Sequence, residues 1–154
     1  MRPSLLVGGL VLATFFVQVD DLDDLQGAWV VQSAVMAGRP VPAEISSRLR
    51  LEIKDKAYTV VTASGDSDKG KLELDAAVSP KRMKIIGEEG PNKGRTLGAI
   101  YEIKADTLKI SYLMPRLDRR ADKREDERPA TEYPADFTST RENRHFVVIY
   151  ERSK

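Results

Sequence analysis

From Leu49 onward the chain keeps returning to a period of two. Leu49, Leu51 and Ile53 alternate with Arg48, Arg50, Glu52 and Lys54. An extended strand puts successive side chains on opposite faces, so this pattern buries one face and wets the other. Tyr58-Thr59-Val60-Val61-Thr62 follows, rich in β-branched and aromatic residues that suit a pleated surface. Leu72 and Leu74 carry a short strand, and Met83 and Ile85 alternate with Arg82 and Lys84. Leu97, Ala99, Tyr101 and Ile103 run into Ala105-Asp106, and Leu108, Ile110, Tyr112 and Met114 return. That pair reads as the clearest hairpin in the chain.

Punctuation between these runs is dense. Asp55-Lys56, Gly65 to Gly70 and Gly87 to Gly94 read as turns or loops. Before them, a first strand is expected from about Gly27 to Met36. Gly38-Arg39-Pro40-Val41-Pro42 breaks it, and Ala43 to Ser47 has room for one helical turn with Pro42 at its start. Arg144 to Arg152 supplies the last strand. No stretch sustains a helical period beyond a turn or two. Eight short strands in sequence predict an all-β fold, an eight-stranded up-and-down antiparallel barrel. Such a barrel is just wide enough to be filled by side chains or to hold one small ligand.

Composition narrows the function classes. The 154 residues are enough for one core, here residues 27–154, and a net charge of +1 provides no global field to gather nucleic acid. There are no cysteines, so disulfides, thiolate metal sites and lipid attachment through a cysteine are excluded. Met1 to Val19 differs from the rest: Arg2 precedes a run that is apolar from Leu5 to Val19 except for Thr14 and Gln18. It is shorter than the roughly 20 residues of a spanning helix and reads as a secretory signal, with an uncleaved anchor as the alternative. Export to the periplasm or medium follows from either, and membrane anchoring only through residues 1–19. Asp20 to Gln26 reads as an acidic linker or the start of a short helix. Residues 115–144 read as a loop whose first half mixes both charge signs, a solvated segment rather than a basic patch.

Candidate chemistry is sparse. His145 is the sole histidine, and no Gly-x-Ser-x-Gly turn exists to present a nucleophile. No spacing converges on it for a metal, so an exposed histidine at a strand start is expected. Asp66 to Gly70 has its glycine one position early for a calcium loop, and Ala77 stands where a bidentate Glu belongs. Gly90 to Thr96 is one residue short of a phosphate loop and has Arg95 in place of Lys. No catalytic residue, metal or cofactor is expected. Tyr58, Tyr101 and Tyr112 lie on the apolar phase of their strands beside Val60, Ala99 and Ile110. These six would line a ligand cavity, or be ordinary core side chains in a filled barrel.

Gly27-Ala28-Trp29 on the first strand, with Arg152 on the last, resembles the lipocalin and calycin pattern, in which a Gly-x-Trp packs beneath an Arg and closes the barrel floor. Further blocks resemble a family of uncharacterised lipocalin-like domains found mainly in planctomycete bacteria. They are Leu25 to Trp29, Gly38 to Pro42, Gly90 to Thr96, Gly98 to Ile103, Asp106 to Ile110, Arg128-Pro129 and Tyr150 to Arg152. The charged stretch before Arg128 departs from that family as an insertion. The resemblance implies a lipocalin-like fold, with Gly27, Trp29 and Arg152 as its structural floor, and carries no settled biochemical role. Two functions stay open: a carrier of a small apolar or amphipathic ligand inside the barrel, and a filled barrel that meets a protein partner or the cell envelope through its loops.

Overall fold

The computed structural model describes residues 20–114 and 132–154. Helix α1 (Asp21–Leu25) leads into β1 (Gly27–Met36), which folds back as the two-residue β2 (Arg39–Pro40). The short helix α2 (Ala43–Ser46) follows, then β3 (Arg50–Lys54), β4 (Ala57–Val61), β5 (Ser67–Asp75), β6 (Lys81–Glu89), β7 (Thr96–Lys104), β8 (Thr107–Leu113) and β9 (His145–Arg152). Each strand from β3 to β9 pairs antiparallel with the next, and β1 pairs with both β3 and β9. The ring closes there. With β2 outside it as a flap on β1, eight strands form an up-and-down antiparallel barrel of lipocalin-like architecture, as the alternation predicts.

One phase of the strands fills the interior. Trp29, Leu51, Ile53, Tyr58, Leu72, Met83, Ala99, Tyr101, Leu108, Ile110, Val148 and Tyr150 make one continuous core. Two bulges alter that phase. Val31 faces Tyr150 but Ser33 faces Ile149, so Gln32 is an extra residue in β1. Inward positions then pass from Trp29 and Val31 to Ala34. In β6, Gly87 faces Gly70 and Glu89 faces Lys69, which leaves Glu88 as the extra residue. A bulge adds local twist and bends its strand, helping a short sheet curl into a ring.

Four expectations are refined. Of the two readings of the acidic stretch the short helix holds, packed on the barrel with Leu25 fully buried. Asp20 caps it by accepting from the Leu22 N–H at 3.1 Å. The Gly65 to Gly70 turn is shorter than expected. Its hydrogen bonds run from the Thr62 N–H to the Asp66 carbonyl and from the Gly65 N–H to the Thr62 carbonyl, and β5 already begins at Ser67. Gly87 to Glu89 belongs to β6, so the following loop starts at Gly90.

The fourth concerns the segment before β9. The charged run from Arg116 to Arg128 lies outside the described residues. Residues 132–144, the second part of the expected loop, form an irregular strap across the outer wall of the barrel. Pro134 is buried, Arg82 stacks over the Tyr133 ring at 4.7 Å, and Lys109 over the Phe137 ring at 4.8 Å. Beneath it, the outward residues Ile100, Ser111 and Val147 stand in one cross-strand row and are buried. Gly98 admits the strap, since a Cβ there would collide with the Glu132 carbonyl oxygen. The outward apolar residues of β7 and β9 thus belong to a second, smaller packing layer.

Candidate functional site

The lower end of the barrel is closed by one connected group. Trp29 has no solvent exposure, and its indole N–H donates to the Leu25 carbonyl at 2.9 Å. Arg152 lies over its ring, with Cζ 4.3 Å from the centroid. The same guanidinium donates to the Gln26 carbonyl at 2.6 Å, the Asp24 carbonyl at 2.7 Å and Asp106 Oδ1 at 3.1 Å. Consecutive carbonyls at the end of α1, which have no partner within the helix, are therefore taken up by Trp29 and Arg152. Gly27 has φ +112°, and its missing Cβ would stand 3.5 Å from Arg152 Nη1. A side chain there would strain the backbone beside the guanidinium. The floor expected at Gly27, Trp29 and Arg152 is assembled in this way.

Two further latches hold α1. Gln26 pairs with the β3–β4 turn through both ends of its amide, accepting from the Asp55 N–H at 2.6 Å and donating to the Asp55 carbonyl at 2.9 Å. Asp21 Oδ2 accepts from Lys81 Nζ at 2.6 Å and from the Tyr101 hydroxyl at 2.8 Å. Desolvation pushes the Asp21 carboxyl up, but these hydrogen bonds and the Lys81 charge win and hold it below its ordinary value.

The six residues read as cavity lining or core side chains are spread along the barrel. Tyr101 (1% exposed), Ala99 (0%) and Ile110 (5%) are packed in the core, and the Tyr101 hydroxyl belongs to the Asp21 latch. Tyr58 is buried too, but its hydroxyl reaches Asp68 Oδ2 at 3.2 Å. Val60 and Tyr112 lie toward the other end and are half-buried. Tyr112 meets Phe146 edge-on, with centroids 5.5 Å apart. Burial pushes the hydroxyls of Tyr58, Tyr101, Tyr112 and Tyr150 well above their usual value of 10.0; the Asp68 charge adds to this at Tyr58, as does the Asp21 hydrogen bond at Tyr101.

Asp68 is a buried carboxylate absent from the expected site. Besides Tyr58 it accepts from the Asn92 N–H at 3.0 Å and the Asn92 side-chain amide at 2.9 Å. It pins the β6–β7 loop against the barrel and fixes the Tyr58 ring. The signal was in the sequence: Asp68 and Gly70 extend the inward phase of Leu72 and Leu74 backward.

Two clefts lie on the outside. One, of about 210 Å³, lies on the outer wall of β1, β3 and β4 between Ala28, Val30, Arg50, Glu52, Thr59 and Val61. The other, of about 410 Å³, is an open cleft between the β1–β2 turn and the strap. His145 is half-buried rather than exposed, its Nδ1 3.1 Å from the Thr138 carbonyl oxygen. Among the described residues, no three His, Cys, Asp or Glu side chains converge to hold a metal.

Fold and floor together define the class: an eight-stranded lipocalin-like barrel, closed at one end by a Trp–Arg stack. Compared with known protein families, curated proteins and solved structures, the chain finds no match.

Proposed function

We propose that this chain is an exported, non-catalytic barrel that works through its outer surface, its interior being filled for stability. The observation that carries this reading is the closure of the inward side chains around the floor. Trp29, Met83, Ala99, Tyr101, Leu108 and Val148 are each at most 1% exposed, whereas both clefts lie outside the barrel. A drug-sized ligand needs a cavity of roughly 300–1,000 Å³ lined by apolar groups. Export rests on the composition of residues 1–19, and kinship with the planctomycete lipocalin-like domains on the residue blocks quoted above.

A second reading keeps a small apolar ligand at the upper end of the barrel. It is favoured by the inward residues Val60, Tyr112 and Phe146, which are half-buried while those nearer the floor are closed off. Titration of the full chain with a fluorescent fatty-acid analogue separates the two. The outer-surface reading expects no saturable uptake. Stoichiometric binding, weakened by Tyr112→Ala and Val60→Asp, establishes the carrier instead.

A further inference from the structure

The β1–β2 turn and the strap frame a cleft whose two banks each carry an arginine. Arg39 stands on β2 and Arg141 on the strap, with Ala37, Gly38, Ser139 and Thr140 between them. Both residues are exposed, and among the described residues neither forms an ion pair with a carboxylate.

Ordered hydrogen bonds fix the frame. The Gly38 N–H donates to Ser139 Oγ at 3.0 Å, and the Ser139 hydroxyl donates to the His145 carbonyl at 2.7 Å. On the other bank, the Thr140 N–H donates to Asn143 Oδ1 at 2.8 Å and the Asn143 N–H to Thr140 Oγ1 at 3.1 Å. Gly38 lets the banks approach: with φ +74°, its missing Cβ would come within 3.2 Å of the Arg141 nitrogen.

We propose that this cleft binds an oxyanion, a phosphate or sulfate group carried by a soluble ligand, gripped from both banks by Arg39 and Arg141. A guanidinium presents a planar fork of donors that matches two oxygens of such a group at once. Thr140 Oγ1 accepts from Asn143 and keeps its own proton to donate. An anion seated in the cleft would meet positive charge from both banks. The site names a ligand class for one outer cleft and so rests on the outer-surface reading.

The test is a titration of the full ¹⁵N-labelled chain with inorganic phosphate, with sulfate and with a simple sugar phosphate, at low and moderate ionic strength. Saturable shifts centred on Gly38, Thr140 and Arg141 are expected. Arg39→Gln and Arg141→Gln should each weaken binding about tenfold, the equivalent of one charge-assisted hydrogen bond, and the double variant should abolish it. Arg141→Lys, which keeps the charge and loses the fork, should bind several-fold more weakly than the wild type. Tighter binding of the sugar phosphate identifies an attached group as the ligand, and equal affinity identifies the free ion. Shifts spread over every basic residue, shifts that survive the double variant, or preference for a glutamate-rich peptide would overturn the site. The same spectra report whether each variant is folded. A silent titration removes this site alone, whereas a cargo inside the barrel removes the outer-surface reading.

Discussion

Replacing Trp29 with alanine tests how the barrel is held together. The side chain is fully buried, and emptying such a site costs about 3–5 kcal/mol, because the lost transfer energy is joined by a cavity. Two further losses are local. The Leu25 carbonyl loses its indole partner, worth about 0.5–1.5 kcal/mol, and Arg152 loses the ring beneath it, worth about 0.5–2 kcal/mol. Water can reach part of the vacated floor and offset these local terms, so the expected total is about 4 kcal/mol. A domain this size has about 5–15 kcal/mol in all, and each kcal/mol moves Tm by about 2–4 °C. Tm should therefore fall by about 10 °C. Guanidinium unfolding followed by far-UV circular dichroism is the assay, since the variant lacks the sole tryptophan. Crossing it with Arg152→Ala in a double-mutant cycle should give a coupling of about 1 kcal/mol. A Trp29→Ala loss below 1 kcal/mol, or zero coupling, would refute the floor as drawn.

Other consequences are simpler to state. Asp21→Asn should cost about 1 kcal/mol near neutral pH by weakening the Lys81 and Tyr101 contacts. Because the folded carboxyl is held low, its contribution is present above the ordinary value of 3.8 and is lost as pH falls through the folded value. The variant should flatten that part of an acid titration followed by thermal melts. At the alkaline end the sign reverses. The tyrosines at 58, 101, 112 and 150 are held protonated in the fold, so stability is full below about pH 10.0 and declines as pH rises past it. Ultraviolet titration should show most tyrosinate appearing together with unfolding; smooth titration of all five tyrosines in the folded protein would count against it. Ser111 is fully buried, and its hydroxyl has no partner among the described residues, so Ser111→Ala should be neutral or stabilising by up to about 1 kcal/mol. A loss above that in chemical denaturation would mean the hydroxyl has a partner.

Strand existence was legible because a half-buried strand writes its burial directly into alternate residues. Leu51 and Ile53, Ala99 and Tyr101, and Leu108 and Ile110 all face inward as their spacing requires. The floor was legible through the resemblance, since nothing in the spacing of Gly27, Trp29 and Arg152 alone sets a ring under a guanidinium 123 residues on. The bulge at Gln32 was not, because a bulge is a backbone event whose extra residue can be any polar side chain. Period-two reasoning carried across it would reverse the inward and outward faces after Val31. The strap was hidden for a different reason. Tyr133, Pro134 and Phe137 fall within five residues, too short a stretch to signal an element of its own, and only the folded wall shows that Ile100 and Val147 need covering. The tyrosines were placed on the inward face, but the partners of two of them were not legible: Tyr101 reaches Asp21 at one end and Tyr58 reaches Asp68 toward the other.

Whether the interior is occupied by the protein itself decides between the two functions, and native mass spectrometry of the protein, purified gently from its own cells, tests this most directly. The filled-barrel account predicts the bare polypeptide mass, unchanged by extraction with organic solvent. A reproducible extra mass that solvent removes, and that Tyr112→Ala prevents, would contradict it and make the barrel a carrier.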